Sequence, residues 1–156
     1  GIDALLTAFP DACIVQTHRD PAASIASLMS LLGGIRDLMA DAPVDRDRLL
    51  AREASFWAEG ARRSMAAADR EPGRFVHVRQ EDIRRDPMGV VTRIYDHFDI
   101  PMSAEAEARF RGWAAANPPD ARSAHHYRPV EAAAVDPLFS DYIARFDLKR
   151  PAPAGA

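Results

Sequence analysis

The sequence predicts an α/β fold built on a parallel sheet, and three observations predict it. Two short β-capable runs stand out, at 12–17 and 75–79; helical periodicity follows each of them; and long amphipathic stretches separate the two. The order strand, helices, strand, helices gives parallel pairing with helical crossovers. Two strands are few for such a sheet, because parallel sheets are buried on both faces and a two-stranded sheet is marginal alone. The expectation is an incomplete sheet: either further strands lie in a missing N-terminal segment, or copies of the chain associate.

The elements follow from periodicity in chain order. Ile2 to Phe9 is a short helix broken at Pro10. Ala12 to Thr17, with Cys-Ile-Val at its centre, is a buried strand. Pro21 to Leu32 is a helix stopped by Gly33-Gly34. Asp45 to Ala68 is a long helix with Leu50, Ala54, Trp57, Ala61, Met65 and Ala68 on its inner face. Phe75 to Arg79 is the second strand. Met88 to Phe98 is a helix turning Val91, Ile94, Tyr95 and Phe98 inward. Ser103 caps a helix with the stripe Ala106, Phe110 and Trp113, ended by Asn117-Pro118-Pro119. A loop from Asp120 to Ala134 precedes the last helix, Asp136 to Phe146. Asp-Pro opens a helix three times, at Asp20-Pro21, Asp86-Pro87 and Asp136-Pro137, since Asp caps free N–H groups and proline fits the first helical position. One domain is expected over 1–147, with 148–156 a disordered Pro/Ala tail.

Composition excludes several functions. The 156 residues are 47% hydrophobic and 28% charged, the balance of a globular domain with one core. A net charge of −3 gives no bulk attraction to nucleic acid or acidic membranes, so any anion site must be local. The lone cysteine, Cys13, reads as a small core residue and allows no disulfide framework. With no apolar run of membrane-spanning length and no visible secretion signal, the expectation is a cytoplasmic protein without a membrane span.

The chemistry points to the first strand–helix junction. Ligands of open α/β sheets bind beyond the carboxyl ends of the strands, where Arg19 stands. Its forked, permanently charged guanidinium suits two phosphate oxygens. Ser27 lies eight residues on; six helical steps from Pro21 to Ser27 make about 9 Å, within the span of an arginine leaning along the helix. The competing reading is a plain helix cap, because Arg85-Asp86-Pro87 repeats the tripeptide. What separates the copies is that Arg19 leaves a strand directly and Arg85 follows a loop.

The stretch Phe9-Pro-Asp-Ala-Cys-Ile-Val-Gln-Thr-His-Arg-Asp-Pro21, with Ser27, resembles the 3′-phosphate-binding signature of PAPS-dependent sulfotransferases. The resemblance continues through Phe75-Val-His-Val-Arg-Gln-Glu-Asp-Ile83, Asp86-Pro87, Ile94-Tyr95-Asp-His-Phe98, His125-His-Tyr127 with Glu131, and Phe139-Ser-Asp-Tyr142-Ile-Ala-Arg-Phe146. It implies a three-layer α/β/α fold of the P-loop type, incomplete here. It also implies PAPS as sulfuryl donor and a 3′-phosphate held by Arg19 and Ser27. A hydroxyl or amine acceptor, small molecule or biopolymer, is implied, without its identity. The sequence departs from that family at Gln80, where a tyrosine is usual, and at Ala132-Ala-Ala134, where a Phe-Gly-Leu-like segment is usual. Nothing in it resembles the family's Gly-rich phosphate cradle, and the usual catalytic histidine precedes the region covered. No catalytic residue is therefore assigned, and the chain alone is expected to be inactive. Two rivals stand beside this: a non-catalytic nucleotide-binding or interaction module derived from the fold, and half of a P-loop kinase.

Other residues take plainer roles. Tyr127 and Arg128 lie in the longest loop and are secondary candidates for covering the cofactor. The five histidines have no metal-ligand spacing; His18 sits beside Arg19, and His77 and His97 read as structural or exposed. Glu81 and Asp82 read as capping groups in a turn. Trp57 and Trp113 read as core, and Arg62-Arg63 and Arg84-Arg85 as solvated faces.

Overall fold

The computed structural model describes residues 1–39, 41–118 and 127–148. In chain order the elements are α1 (Ile2–Ala8), β1 (Ile14–His18), α2 (Pro21–Met39), α3 (Arg46–Arg70), a 3-10 turn (Pro72–Arg74), β2 (Phe75–Arg79), α4 (Gln80–Arg85), α5 (Pro87–His97), α6 (Ala104–Ala116), α7 (Ala132–Val135), a second 3-10 turn (Asp136–Phe139) and α8 (Ser140–Phe146). The described residues form two compact units. One comprises Gly1–His18 and residues 67–118, the other Arg19–Ala66 and residues 127–148.

In the first unit β1 and β2 pair in parallel, from Ile14 opposite Phe75 to His18 opposite Arg79. The α/β expectation is met. Alternation of side chains across the pleat gives the pair two different faces. Val76 and Val78 pack against Ile83, Val90, Ile94 and Phe98. Ile14 and Phe75 point the other way, into a cluster with Ile2, Leu6, Ala67 and Ala68. Along that second face the residues two and four positions on are polar: Gln16, His18, His77 and Arg79. The expected burial of β1 on both faces is not found, since Val15 is 42% exposed, and Cys13 is exposed rather than core. Among the described residues β1 is paired only to β2, so the pleat, not full coverage, decides which of its residues are buried. Arg74 ties the end of α1 down by donating to the carbonyls of Leu6 and Ala12, each at 3.4 Å, which engages acceptors near a helix C-terminus.

The residues after β2 form α4, not the expected turn. Asp82 is buried there and accepts from Arg79 Nε at 3.0 Å and Arg85 Nη2 at 2.6 Å. The Arg79 hydrogen bond, aided by the Arg79, Arg85 and Arg93 charges and opposed by desolvation, holds its carboxyl below the usual aspartate range. Asp86 then caps α5 by accepting from Gly89 N at 2.8 Å, with Pro87 in the first position. Ser103 caps α6 as expected, accepting from Ala106 N at 3.1 Å. Phe110 meets Tyr95 edge-on with ring centroids 6.0 Å apart, but Trp113, one turn on, is 57% exposed and not core.

The second unit corrects two further expectations. Gly33-Gly34 does not stop α2, which runs on to Met39. Among the described residues no glycine has a positive φ, the condition for a glycine terminator. The end of the Arg46 side chain, which pairs with Asp37, lies over Gly33 inside the helix. At 19 residues α2 is long and apolar enough to cross a membrane by length and composition, but its Ala22 and Ile25 are buried in a protein core. Of the expected α3 stripe, Ala54, Met65 and Ala68 are buried and Leu50 and Ala61 pack against the core, but Trp57 does not. Leu49, Ala54 and Ala58 are buried, whereas Trp57 is 49% exposed beside exposed Phe56. Ala22, Ile25, Ala58, Val135 and Phe139 form the core, with Leu50, Val130, Tyr142 and Ile143 packed against it. Asp136 lies inside a 3-10 turn rather than before a helix, since the chain is already helical from Ala132. The expected loop to Ala134 thus ends earlier. Its residues 119–126, with His125 and His126, and the tail 149–156 lie outside the described residues.

Candidate functional site

The start of α2 is built from its sequence outward. Asp20 accepts from the backbone N–H groups of Ala22 at 3.3 Å and Ala23 at 3.2 Å. The Asp20 carbonyl accepts the Ser24 N–H at 3.0 Å and the Ser24 hydroxyl at 3.0 Å. Pro21, Ala22, Ile25 and Ala26 are buried, so this first turn is fixed on the core. The cap has a chemical consequence. N–H groups of the first turn that an anion would use elsewhere are engaged by Asp20, so anion-binding capacity here resides in side chains.

Arg19 and Ser27 are the side chains in question. Arg19 is exposed, and among the described residues no carboxylate pairs with its guanidinium. Ser27 is half-buried on the second turn, and among the described residues its hydroxyl has no hydrogen-bond partner, unlike that of Ser24. Both belong to the second unit. A rigid backbone thus presents a forked cation two residues before a helix and a hydroxyl two turns into it, an arrangement suited to phosphate oxygens.

Tyr142 of α8 packs against the core that contains Ala22 and Ile25 from the first turns of α2. Its phenol interacts with the backbone N–H of Arg19. Burial raises the pKa of the phenol above its usual value, and this N–H partly offsets the rise. The ring stands edge-on to Phe139 and Phe146, with centroids 6.1 and 5.1 Å away.

In the first unit, His18 is 1% exposed and its Nε2 lies 2.9 Å from Nδ1 of His77. His77 in turn stacks on Phe75, with centroids 6.2 Å apart. A buried imidazole pair in hydrogen-bond contact needs one ring to donate and the other to accept. The strand register makes this pair, because His77 lies opposite Gln16 and so shares a face with His18. No sequence spacing signals it.

The secondary candidates are in the second unit. Tyr127 is half-buried and Arg128 exposed, on an irregular segment anchored by Val130 in the core. A cleft of about 690 Å³ lies between α5 and α6 in the first unit, lined by Asp86, Arg93, Asp96, His97 and Arg111 among others. Its mixed charge favours no one ligand sign, and none of the expected site residues lines it. Among the described residues no cluster of His, Cys, Asp or Glu could hold a metal ion.

Comparison with known proteins follows the same direction. The model of the Sulfotransferase family matches residues 1–104. The crystal structure of sulfotransferase STF9 from Mycobacterium avium superposes with a TM-score of 0.78 at 33% sequence identity, covering 95% of this chain and 39% of that one. The chain therefore spans about two-fifths of that relative's length. No curated protein matches.

Proposed function

The chain belongs to the sulfotransferase family, and from that premise we propose that it is the C-terminal part of an enzyme moving a sulfuryl group from PAPS to a hydroxyl or amine. Its own contribution is to grip the donor's 3′-phosphate. The observation that carries this is the pair Arg19 and Ser27, whose guanidinium and hydroxyl are engaged by no other described residue at a capped, core-anchored helix start. The arrangement fits a phosphate. Arg19 offers two parallel N–H donors and the full charge, and Ser27 offers one hydroxyl. PAPS, when bound, supplies the sulfuryl group. This chain's residues bind and orient the distant end of that nucleotide, which is positioning rather than chemistry. Tyr127 and Arg128 share the second unit with them and are proposed to border the nucleotide. Family membership favours this over half of a P-loop kinase.

A charge-assisted contact of this type contributes about 1.5–3 kcal/mol. Calorimetry comparing adenosine 3′,5′-bisphosphate with adenosine 5′-phosphate tests it. The wild type should prefer the bisphosphate, and Arg19→Ala should erase most of that preference, roughly ten- to a hundredfold. A mutant that keeps the full preference would place the anion site elsewhere.

A further inference from the structure

We propose that His18 and His77 form an acid-sensitive clasp at the carboxyl end of the β1–β2 pair, a contact that survives one added proton and is broken by a second. Three observations carry it. Nε2 of His18 lies 2.9 Å from Nδ1 of His77, and the rings are tilted by 40° with centroids 5.0 Å apart. His18 is almost wholly buried, and half-buried His77 is stacked on Phe75, so neither ring can turn freely to water. The register sets Gln16 opposite His77 and His18 opposite Arg79, which makes the two rings neighbours on one face of the strand pair.

The physical argument is a count of protons. Two facing ring nitrogens in hydrogen-bond contact hold one hydrogen between them. The neutral pair meets that condition. So does the pair with one proton added, because an imidazolium donates to a neutral ring nitrogen. A second proton puts an N–H on both facing nitrogens, and at this separation neither finds an acceptor in the other. The charge that the register brings nearest is the cation Arg79, held by Glu81 and Asp82 of α4 at 3.2 and 3.0 Å, and it opposes a second positive ring. Arg19, next in the chain, is a cation too. Residues of α1 and the end of α3 cover the Ile14 and Phe75 end of this face. Among the described residues there, Asp3 pairs with Arg70, Glu71 pairs with Arg74, and Asp69 is exposed. The folded pair therefore binds at most one proton beyond neutrality, whereas each histidine of the unfolded chain binds its own near pH 6.5. Stability rises with pH wherever the unfolded state binds more protons. Acidification below about pH 6.5 accordingly weakens the clasp.

Two measurements on the full-length protein test this. Nitrogen NMR of ring-labelled histidine, titrated from about pH 8 to about pH 5, should show at most one of these two rings becoming imidazolium while the amides of β1 and β2 stay protected from exchange. Two imidazolium rings in a protected strand pair would overturn the proposal. In denaturant titrations the folding equilibrium constant should fall by about tenfold per pH unit between about pH 6 and pH 5, the effect of one proton. His18→Gln and His77→Asn each put an amide in place of the facing ring nitrogen, so the remaining ring no longer shares its hydrogen, and each should flatten that dependence. A His18→Gln protein as acid-sensitive as the wild type would also overturn the clasp. If either variant fails to fold, the proton count in the wild type still decides.

Discussion

Two copies of one tripeptide, Arg19-Asp20-Pro21 and Arg85-Asp86-Pro87, begin helices in different units, and the structure uses their arginines in opposite ways. The aspartates behave alike: Asp20 caps α2 through Ala22 and Ala23, and Asp86 caps α5 through Gly89. Arg85 is the last residue of α4 and turns back onto Asp82, 2.6 Å away, so its charge is already answered. Arg19 follows a strand, and among the described residues has no carboxylate to turn back to. A motif therefore gives the cap, and the element before it decides whether the arginine is available to a ligand.

The largest effect that could break this comparison is on nucleotide preference. Arg19→Ala should abolish the preference for a 3′-phosphate, whereas Arg85→Ala should leave it unchanged; calorimetry on both variants measures this. An Arg85→Ala variant that also lost the preference would show that the two copies are not functionally distinct. Next in size is Arg19→Lys, which keeps the charge and loses the fork. It should retain part of the bisphosphate preference, placing its affinity between wild type and Arg19→Ala. Smaller again, Asp20→Ala and Asp86→Ala should each lower stability by about 1 kcal/mol in denaturant titrations, the usual loss on removing a cap. Similar values would sharpen the point that the caps are equivalent and only the arginines differ.

The smallest effect concerns Asp82, the partner that occupies Arg85. Its carboxyl pKa is lowered, chiefly by the Arg79 hydrogen bond. A carboxylate with a lower pKa in the folded state stabilises fully above its unfolded value, about 3.9, and that contribution is lost as the pH falls through the folded pKa. Unfolding followed from pH 6 down to pH 2 should therefore show an acid-sensitive component that Asp82→Asn removes. Arg85→Ala should diminish it only in part, because Arg79 remains and Arg85 is largely solvated.

Much of the fold could be read from short-range signals. Phe75–Arg79 is the strand the β-branched run predicts, and Ser103 and Asn117 bound α6 as their chemistry requires. Errors arose where a local signal met a tertiary contact. Gly33 reads as a terminator until Arg46 is seen packed on it. Trp57 reads as core by period, but while Ala54, Met65 and Ala68 of the same stripe are buried, its bulky ring stays half exposed and the neighbouring small Ala58 is buried instead. Of the proposed site, the placement of Arg19, Asp20 and Ser27 at a capped strand–helix junction was legible because strand, cap and helix spacing are local. The Tyr142 contact and the His18–His77 pair were not, since both depend on residues brought together from distant parts of the sequence.

The parallel register has a consequence for the order of folding. His18 and His77 lie 59 residues apart, and closing a loop of that length costs about 3–4 kcal/mol in chain entropy beyond a constant. The Asp37–Arg46 pair, in contrast, spans nine positions and needs only the turn between α2 and α3. Local closures form early and distant strand pairings late, so α2 and α3 are expected to be in place before β1 finds β2. The intervening helices then shorten the search between the strand ends. A destabilising change in the α2–α3 turn would accordingly slow folding, whereas one in the strand pair would mainly speed unfolding.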